Sequence, residues 1–242
     1  MSKVLITEET FKQLNYDMEK SNIASATSDG NRQPTVMIIF ENSDINAALH
    51  HLTTSLQNPL CAKAMASVLV QESIRADFEQ KLQAQLKAYA KDDAVTKCDQ
   101  LKKALETITK INAKVITVVG GPTVVCDFTH EHFGGSQVAG ICTLHTFRTA
   151  KEAISLVGKE TLTFQNVSIW HENHAYAYEL VAALKSQNFF INCYNMPLTV
   201  LQDHQTQGKS FVAMEKNYHY ETLPHNGIQK SIVFPIGSIF AN

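Results

Sequence analysis

The sequence predicts an α/β protein: a mostly parallel sheet flanked by helices, ending in a β-rich C-terminal tail. Three observations carry this expectation. Short, continuous apolar runs such as VMIIF (Val36–Phe40) lack polar alternation, as strands covered on both faces do. Between the runs, apolar residues recur at helical spacing. Strand and helix then alternate through most of the chain, the pattern of a parallel sheet with crossover helices.

Composition narrows the function classes. The 242 residues suffice for one large domain or two small ones, and an apolar share of 44% builds an ordinary core. A net charge of -2 argues against an electrostatic nucleic-acid binder, so no nucleic-acid partner is expected. No apolar run is long enough to span a membrane, and the N-terminal MSKVLITEETFKQL has early acids instead of a signal-peptide core. No membrane partner and a cytoplasmic location are the expectations. Cys61, Cys98, Cys126, Cys142 and Cys193 are dispersed and read as reduced thiols. His50-His51, His130-x-His132 and His171-x-x-His174 have no matching ligand set, and adjacent helical histidines diverge by about 100°. No metal is expected.

Taken in order, residues 1–33 form an N-terminal segment in which KVLIT can be a strand, EETFKQLNYDMEKS a helix and ASATSDGNRQP a loop. Residues 34–224 form the main domain, and 225–242 the β tail. After VMIIF, Ser43 is placed to cap a helix with Ile45, Leu49, Leu52 and Leu56 on one face. Asn58-Pro59 ends it, Cys61 sits in the following loop, and Ser67–Gln71 is a strand. Ser73 opens a helix lined by Ile74, Phe78, Leu82, Leu86 and Tyr89. A second helix spans Thr96–Lys110 with Cys98, Leu101, Leu105 and Ile108 inward. NAKVITVVGGPTVVCDF reads as two β runs broken at Gly120-Gly121-Pro122. VAGICTLHTF is a strand. Thr149-Ala-Lys-Glu152 is a capping box for the next helix. Asn166–Trp170 is a strand, Glu172–Ser186 a helix, Phe189–Cys193 a strand, and Ile228–Ile236 a final β segment.

Several of these stretches resemble the catalytic domain of aldehyde dehydrogenases. IIFENSDINAAL and SVLVQESIRADFEQKL are similar to the strand, acidic helix and Val-Gln-Glu strand around that family's nucleophilic cysteine. Cys61 falls within a residue or so of that position. Glu131-His132-Phe133-Gly134-Gly135 looks like the family's Glu-Ile-Phe-Gly-Pro, whose glutamate holds a dinucleotide ribose and whose phenylalanine packs by the nicotinamide. Phe147 through Asn195 resembles "F-(R/K)-T-x-x-E-A … S-(V/I)-W-(S/T)-E-N … N-C-Y", the most specific part of the match. The likeness covers roughly residues 34–197 plus the tail, in a family whose members are about twice as long.

The resemblance implies a fold without the chemistry. The family's catalytic glutamate would fall near Gly30, with Asp29 one residue off. The family's separate dinucleotide-binding domain has no counterpart in the sequence, and no Gly-rich phosphate loop occurs. The expectation is a non-catalytic pseudoenzyme with no cofactor, in which Cys61 is a vestigial nucleophile and Glu131 and Phe133 are vestigial cofactor contacts. The chain also resembles short insect proteins of this type, several of them male-germline biased. That implies a structural role in a sperm flagellar or microtubule assembly, placing the protein in the cytoplasm or cytoskeleton. In the family a strand like Ile228–Ile236 crosses to a partner subunit, so self-association through it is implied. Two alternatives stand beside this reading. One is a thiol-dependent enzyme using Cys61 with His50 or His51 as base; the other is a regulatory partner of a full-length aldehyde dehydrogenase.

Overall fold

The computed structural model describes residues 32–89, 95, 98–135, 138–205 and 208–237. The strand and helix expected in KVLIT and EETFKQLNYDMEKS, and the start of the helix expected from Thr96, lie outside these. The strands are β1 (Thr35–Ile39), β2 (Met65–Gln71), β3 (Val115–Thr117), β4 (Thr123–Cys126) and β5 (Cys142–Phe147). They continue with β6 (Asn166–Trp170), β7 (Asn188–Ile191), β8 (Phe211–Glu215), β9 (Tyr218–His225) and β10 (Ile228–Pro235). The helices are α1 (Ile45–Leu56), α2 (Arg75–Gln85), α3 (Asp99–Lys110), α4 (Ala150–Lys159), α5 (His174–Ala183) and the short α6 (Gln202–Gln205).

All ten strands form one sheet in the order β3-β4-β5-β2-β1-β6-β7-β10-β9-β8. From β4 to β10 the neighbours are parallel. Antiparallel pairs finish both ends, β3 on β4 and β10-β9-β8 as a meander. The expected fold class is the observed one.

The continuous apolar runs have a direct cause. In β1, Val36 and Ile38 face a core shared with α4 and α5 through Ala153, Ala177, Leu180 and Val181. Met37 and Ile39 face the opposite core, shared with α1 and α2 through Leu49, Leu52, Phe78 and Leu82. A strand buried on both sides is therefore mostly apolar, and a polar residue in it, such as Thr35, finds a partner within the protein.

Local signals held with small shifts. Thr149 caps α4, its Oγ1 accepting from Glu152 N at 3.2 Å, while Glu152 reaches back to Arg148 N at 2.8 Å. At α1 the cap is Asp44, which accepts from Ala47 N at 2.9 Å; Ser43 instead donates to Phe40 O at 2.7 Å. In α3 the inward residues are Leu101, Ala104 and Ile108, and Leu105 is exposed. Leu101 and Ile108 hold the expected face, and Ala104, about 100° round the helix from Leu105, takes the place of Leu105 in it.

β8 and β9 have no counterpart in the sequence expectation. They belong to two tight hairpins. Lys216 and Asn217 both adopt positive φ (49° and 65°), as do Asn226 and Gly227 (51° and 75°), the backbone of two-residue turns that match strand twist. Ile228–Ile236 is likewise met in a definite place: β10 is hydrogen-bonded to β7 on one side and to β9 on the other. Both its edges are filled within the chain, and the outer edge of the meander belongs to β8.

Lys230 fastens this meander to α5. Its side chain is buried, and its Nζ donates to the carbonyl oxygens of Val181, Ala182 (3.4 Å) and Leu184 (2.9 Å). These are carbonyls at the helix C-terminus that lack helical partners, where a cation is also favoured by the helix dipole.

Candidate functional site

Two ends of the parallel sheet can be compared. The amino ends of β1 and β2 carry Cys61; the carboxyl ends of β1 and β6 carry a cleft.

Cys61 lies in a double turn between α1 and β2. Its N–H donates to Asn58 O at 3.2 Å, and its carbonyl accepts from Ala64 N at 3.1 Å. Tyr194 pins the same turn, donating from its hydroxyl to Lys63 O at 3.1 Å and meeting Ser55 Oγ at 2.9 Å. The thiol is half-buried against the α4–α5 core. Burial pushes its pKa up, and the backbone amides of Lys63 and Cys61 and the charges of Lys63 and Arg32 only partly oppose this. A thiol in that setting is mostly protonated at neutral pH and is a weak nucleophile. His50 and His51 sit on α1. His51 lies against Trp170 and Tyr194, with ring centroids 5.6 and 6.2 Å away, and burial lowers its pKa, with His50 adding to the effect. Neither histidine is among the groups that act on the Cys61 thiol.

Glu131 and Phe133 fall in a 3-10 turn, His130–Phe133. Glu131 is exposed, and Phe133 is in a core cluster with Leu101, Val125 and Ile141. A ring enclosed in that way has no free face to lay beside a nicotinamide. The pair does not fit a dinucleotide as the family resemblance would place one. The expected base position, near Asp29 and Gly30, lies outside the described residues.

A buried polar cluster lies behind this turn, and sequence reasoning did not find it. Glu160, at the end of α4, accepts from His130 N (2.9 Å) and meets His130 Nδ1 at 3.2 Å. Its other oxygen meets His145 Nε2 at 3.0 Å and accepts from Thr143 Oγ1 at 3.1 Å, which in turn lies 3.0 Å from Ser67 Oγ. Burial pushes the Glu160 carboxyl up, but hydrogen bonds from His130 and His145 and the charge of His130 prevail and hold it well below the carboxylate range. Among the described residues, the buried His130 Nε2 has no hydrogen-bond partner. The cluster ties the His130–Phe133 turn to α4, β5 and β2. No sequence signal marks it, since Glu160 reads as an ordinary acid at a helix end.

At the other end of the sheet, β1 leads to β2 on one side, while β6 leads to β7 on the other. The crevice between β1 and β6 is thus a switch point of the kind that binds ligands in open α/β sheets. A cleft of about 600 Å³ is found there, lined by Asn42, His171, Glu172, Asn173, His174 and Tyr176. His171 Nδ1 accepts from Asn173 N at 2.8 Å, so the neutral ring carries its proton on Nε2. Burial lowers the pKa of His171, and its ring stacks on Tyr176 at 4.9 Å. The lining offers imidazole, amide, carboxylate and phenol groups but no thiol or serine.

Among the described residues, no group of three or more His, Cys, Asp or Glu side chains is arranged to hold a metal ion. Nor is any described helix long and apolar enough to cross a membrane.

This fold is similar to part of the aldehyde dehydrogenase fold. The aldehyde dehydrogenase from Bartonella henselae superposes with a TM-score of 0.56 at 17% identity, over 69% of this chain and 40% of that one. Betaine aldehyde dehydrogenase from Staphylococcus aureus, solved with NAD+, gives 0.55 at 18% identity, over 69% of this chain and 38% of that one. An indole-3-acetaldehyde dehydrogenase, also solved with NAD+, gives 0.56 at 17% identity, over 75% and 43%. The chain therefore spans about 40% of the length of the enzymes it resembles, and the likeness is one of fold. Residues 31–240 match the family model described as "Protein of unknown function (DUF1487)", and the chain belongs to that family. No curated protein matches it.

Proposed function

We propose that this protein is a non-catalytic, aldehyde-dehydrogenase-like interaction protein, a scaffold that works by association and not by turnover. The observation that carries the reading is the state of Cys61. The scaffold around it is intact, yet the thiol is half-buried, its pKa is raised, and no histidine acts on it. Nucleophilic attack on a carbonyl needs a thiolate, an oxyanion stabiliser and a base for the later water. The described residues around Cys61 supply none of these in working order. Phe133, packed into the core, supports the same reading for the cofactor side.

The proposed setting is the cytoplasm or cytoskeleton, as a structural component of an assembly such as the microtubule apparatus of a sperm flagellum. That setting follows from the resemblance to short insect proteins and rests on it alone. Protein partners are proposed to engage the C-terminal β region, which contains Ile228–Ile236.

The test is direct. Purified protein incubated with aliphatic and aromatic aldehydes and either NAD or NADP is expected to yield no NAD(P)H and to show no nucleotide binding by calorimetry. Turnover that disappears in Cys61→Ser would overturn the reading.

A further inference from the structure

We propose that β8 is the docking edge for a second copy of this chain, paired antiparallel across a twofold axis beside Ala213. The inference rests on the reading of the chain as an assembling scaffold, and it names the surface and the partner.

Among the described residues, β8 is one end of the ten-stranded sheet and is hydrogen-bonded to β9 on one side only. An open edge is a template for another strand unless something blunts it. The opposite end is blunted: β3 has three residues, and Gln83 Nε2 donates to Thr117 O there at 3.0 Å. β8 has five residues and no proline. Its large apolar side chains Val212 and Met214 are 54% and 72% exposed. Being two residues apart, they stand on the same face of the sheet.

Pairing about Ala213 makes that arrangement self-complementary. Val212 of each copy then stands opposite Met214 of the other, so the two exposed apolar groups cover each other twice in cross-strand contacts. On the opposite face, Glu215 stands opposite Phe211 of the copy and diagonal to its Lys209. Long side chains span such a diagonal. Lys209 and Glu215 are both exposed, and they carry opposite charges. The backbone of Lys209 is held in line with the strand, its carbonyl accepting from Thr222 Oγ1 at 2.9 Å and Gln229 Nε2 at 3.0 Å. The Lys216–Glu215 contact, at 3.5 Å between exposed groups, is too weak to compete. An isologous contact of this kind uses up the edge, so it closes at a dimer.

Sedimentation velocity across a wide concentration range is expected to show a reversible dimer with twice the mass of the chain. The double variant Val212→Lys/Met214→Lys is expected to be monomeric, with circular dichroism and unfolding unchanged because both side chains are exposed. Lys209→Glu should weaken the dimer several-fold by facing Glu215, and Lys209→Glu/Glu215→Lys should restore it. A monomeric wild type, a dimer that survives the double lysine variant, a failed charge-swap rescue, or oligomers that grow without limit would each overturn the proposal. Failure here stays distinct from failure of the scaffold reading. A monomer without aldehyde turnover removes the β8 dimer alone, whereas turnover removes the scaffold reading whatever the mass.

Discussion

Asn192 pairs with the backbone of His171 through both ends of its side-chain amide. Its Nδ2 donates to His171 O at 2.8 Å, and its Oδ1 accepts from His171 N at 2.9 Å. Asn192 itself adopts φ 52°, and its N–H donates to Ile169 O at 2.8 Å. The side chain thus continues the β6–β7 ladder one step after the strand has ended, at the mouth of the switch-point cleft. Asparagine tolerates the left-handed backbone that this requires.

Asn192→Ala should therefore cost about 2–4 kcal/mol, because it leaves a buried N–H and a buried carbonyl of His171 without partners. Urea denaturation would measure it. Asn192→Asp should recover part of the loss, since one carboxylate oxygen still accepts from His171 N while the other faces a carbonyl.

Glu160 sets the acid limit of stability. Its folded pKa lies well below the ordinary value of 4.5. The stabilisation it brings is fully present above that ordinary value and is lost as the pH falls toward the folded pKa. Glu160→Gln should lower stability near neutrality by about 3 kcal/mol, the scale of breaking a buried pair. The difference from wild type should shrink on acidification. Denaturation midpoints across pH would check this; a constant difference would contradict it.

Burial of Cys61 makes a kinetic prediction. In a Cys98→Ser background, alkylation of Cys61 should follow a titration whose midpoint lies above the ordinary thiol value of 9.0, in the direction burial dictates. A midpoint shifted downward would favour the thiol-enzyme alternative.

Lys230 should behave as a structural residue. Lys230→Ala removes its buried stem and leaves the carbonyl oxygens at the end of α5 without their donor, at a cost of about 3 kcal/mol. Lys230→Met keeps most of the packing and should lose less. Thermal unfolding of the pair separates the two contributions.

The parts of the fold that were legible in the sequence are those with local causes. VMIIF announced a strand buried on both faces, and Thr149 with Glu152 announced the start of α4. β9 was not legible because its polar residues mask the alternation, and β8 because it is a short run whose apolar side chains Val212 and Met214 face outward. Asn226-Gly227, a strong hairpin signal, was the available clue. Cys61 was rightly placed in a loop, but no local pattern tells how deeply a loop thiol is buried. Phe133 matched a family motif by type, and only its packing with Leu101 and Ile141 shows where the ring goes.

By itself, the sequence determined the order and kind of the parallel-sheet elements, because periodicity and capping act over a few residues. Tertiary structure alone decided that β10 lies between β7 and β9, that β8 is the last strand of the sheet among the described residues, and that Glu160 meets two histidines from distant segments. Those facts depend on which surfaces meet after the chain has folded, and residues 15 and 30 positions from Glu160 leave no mark on its own neighbourhood.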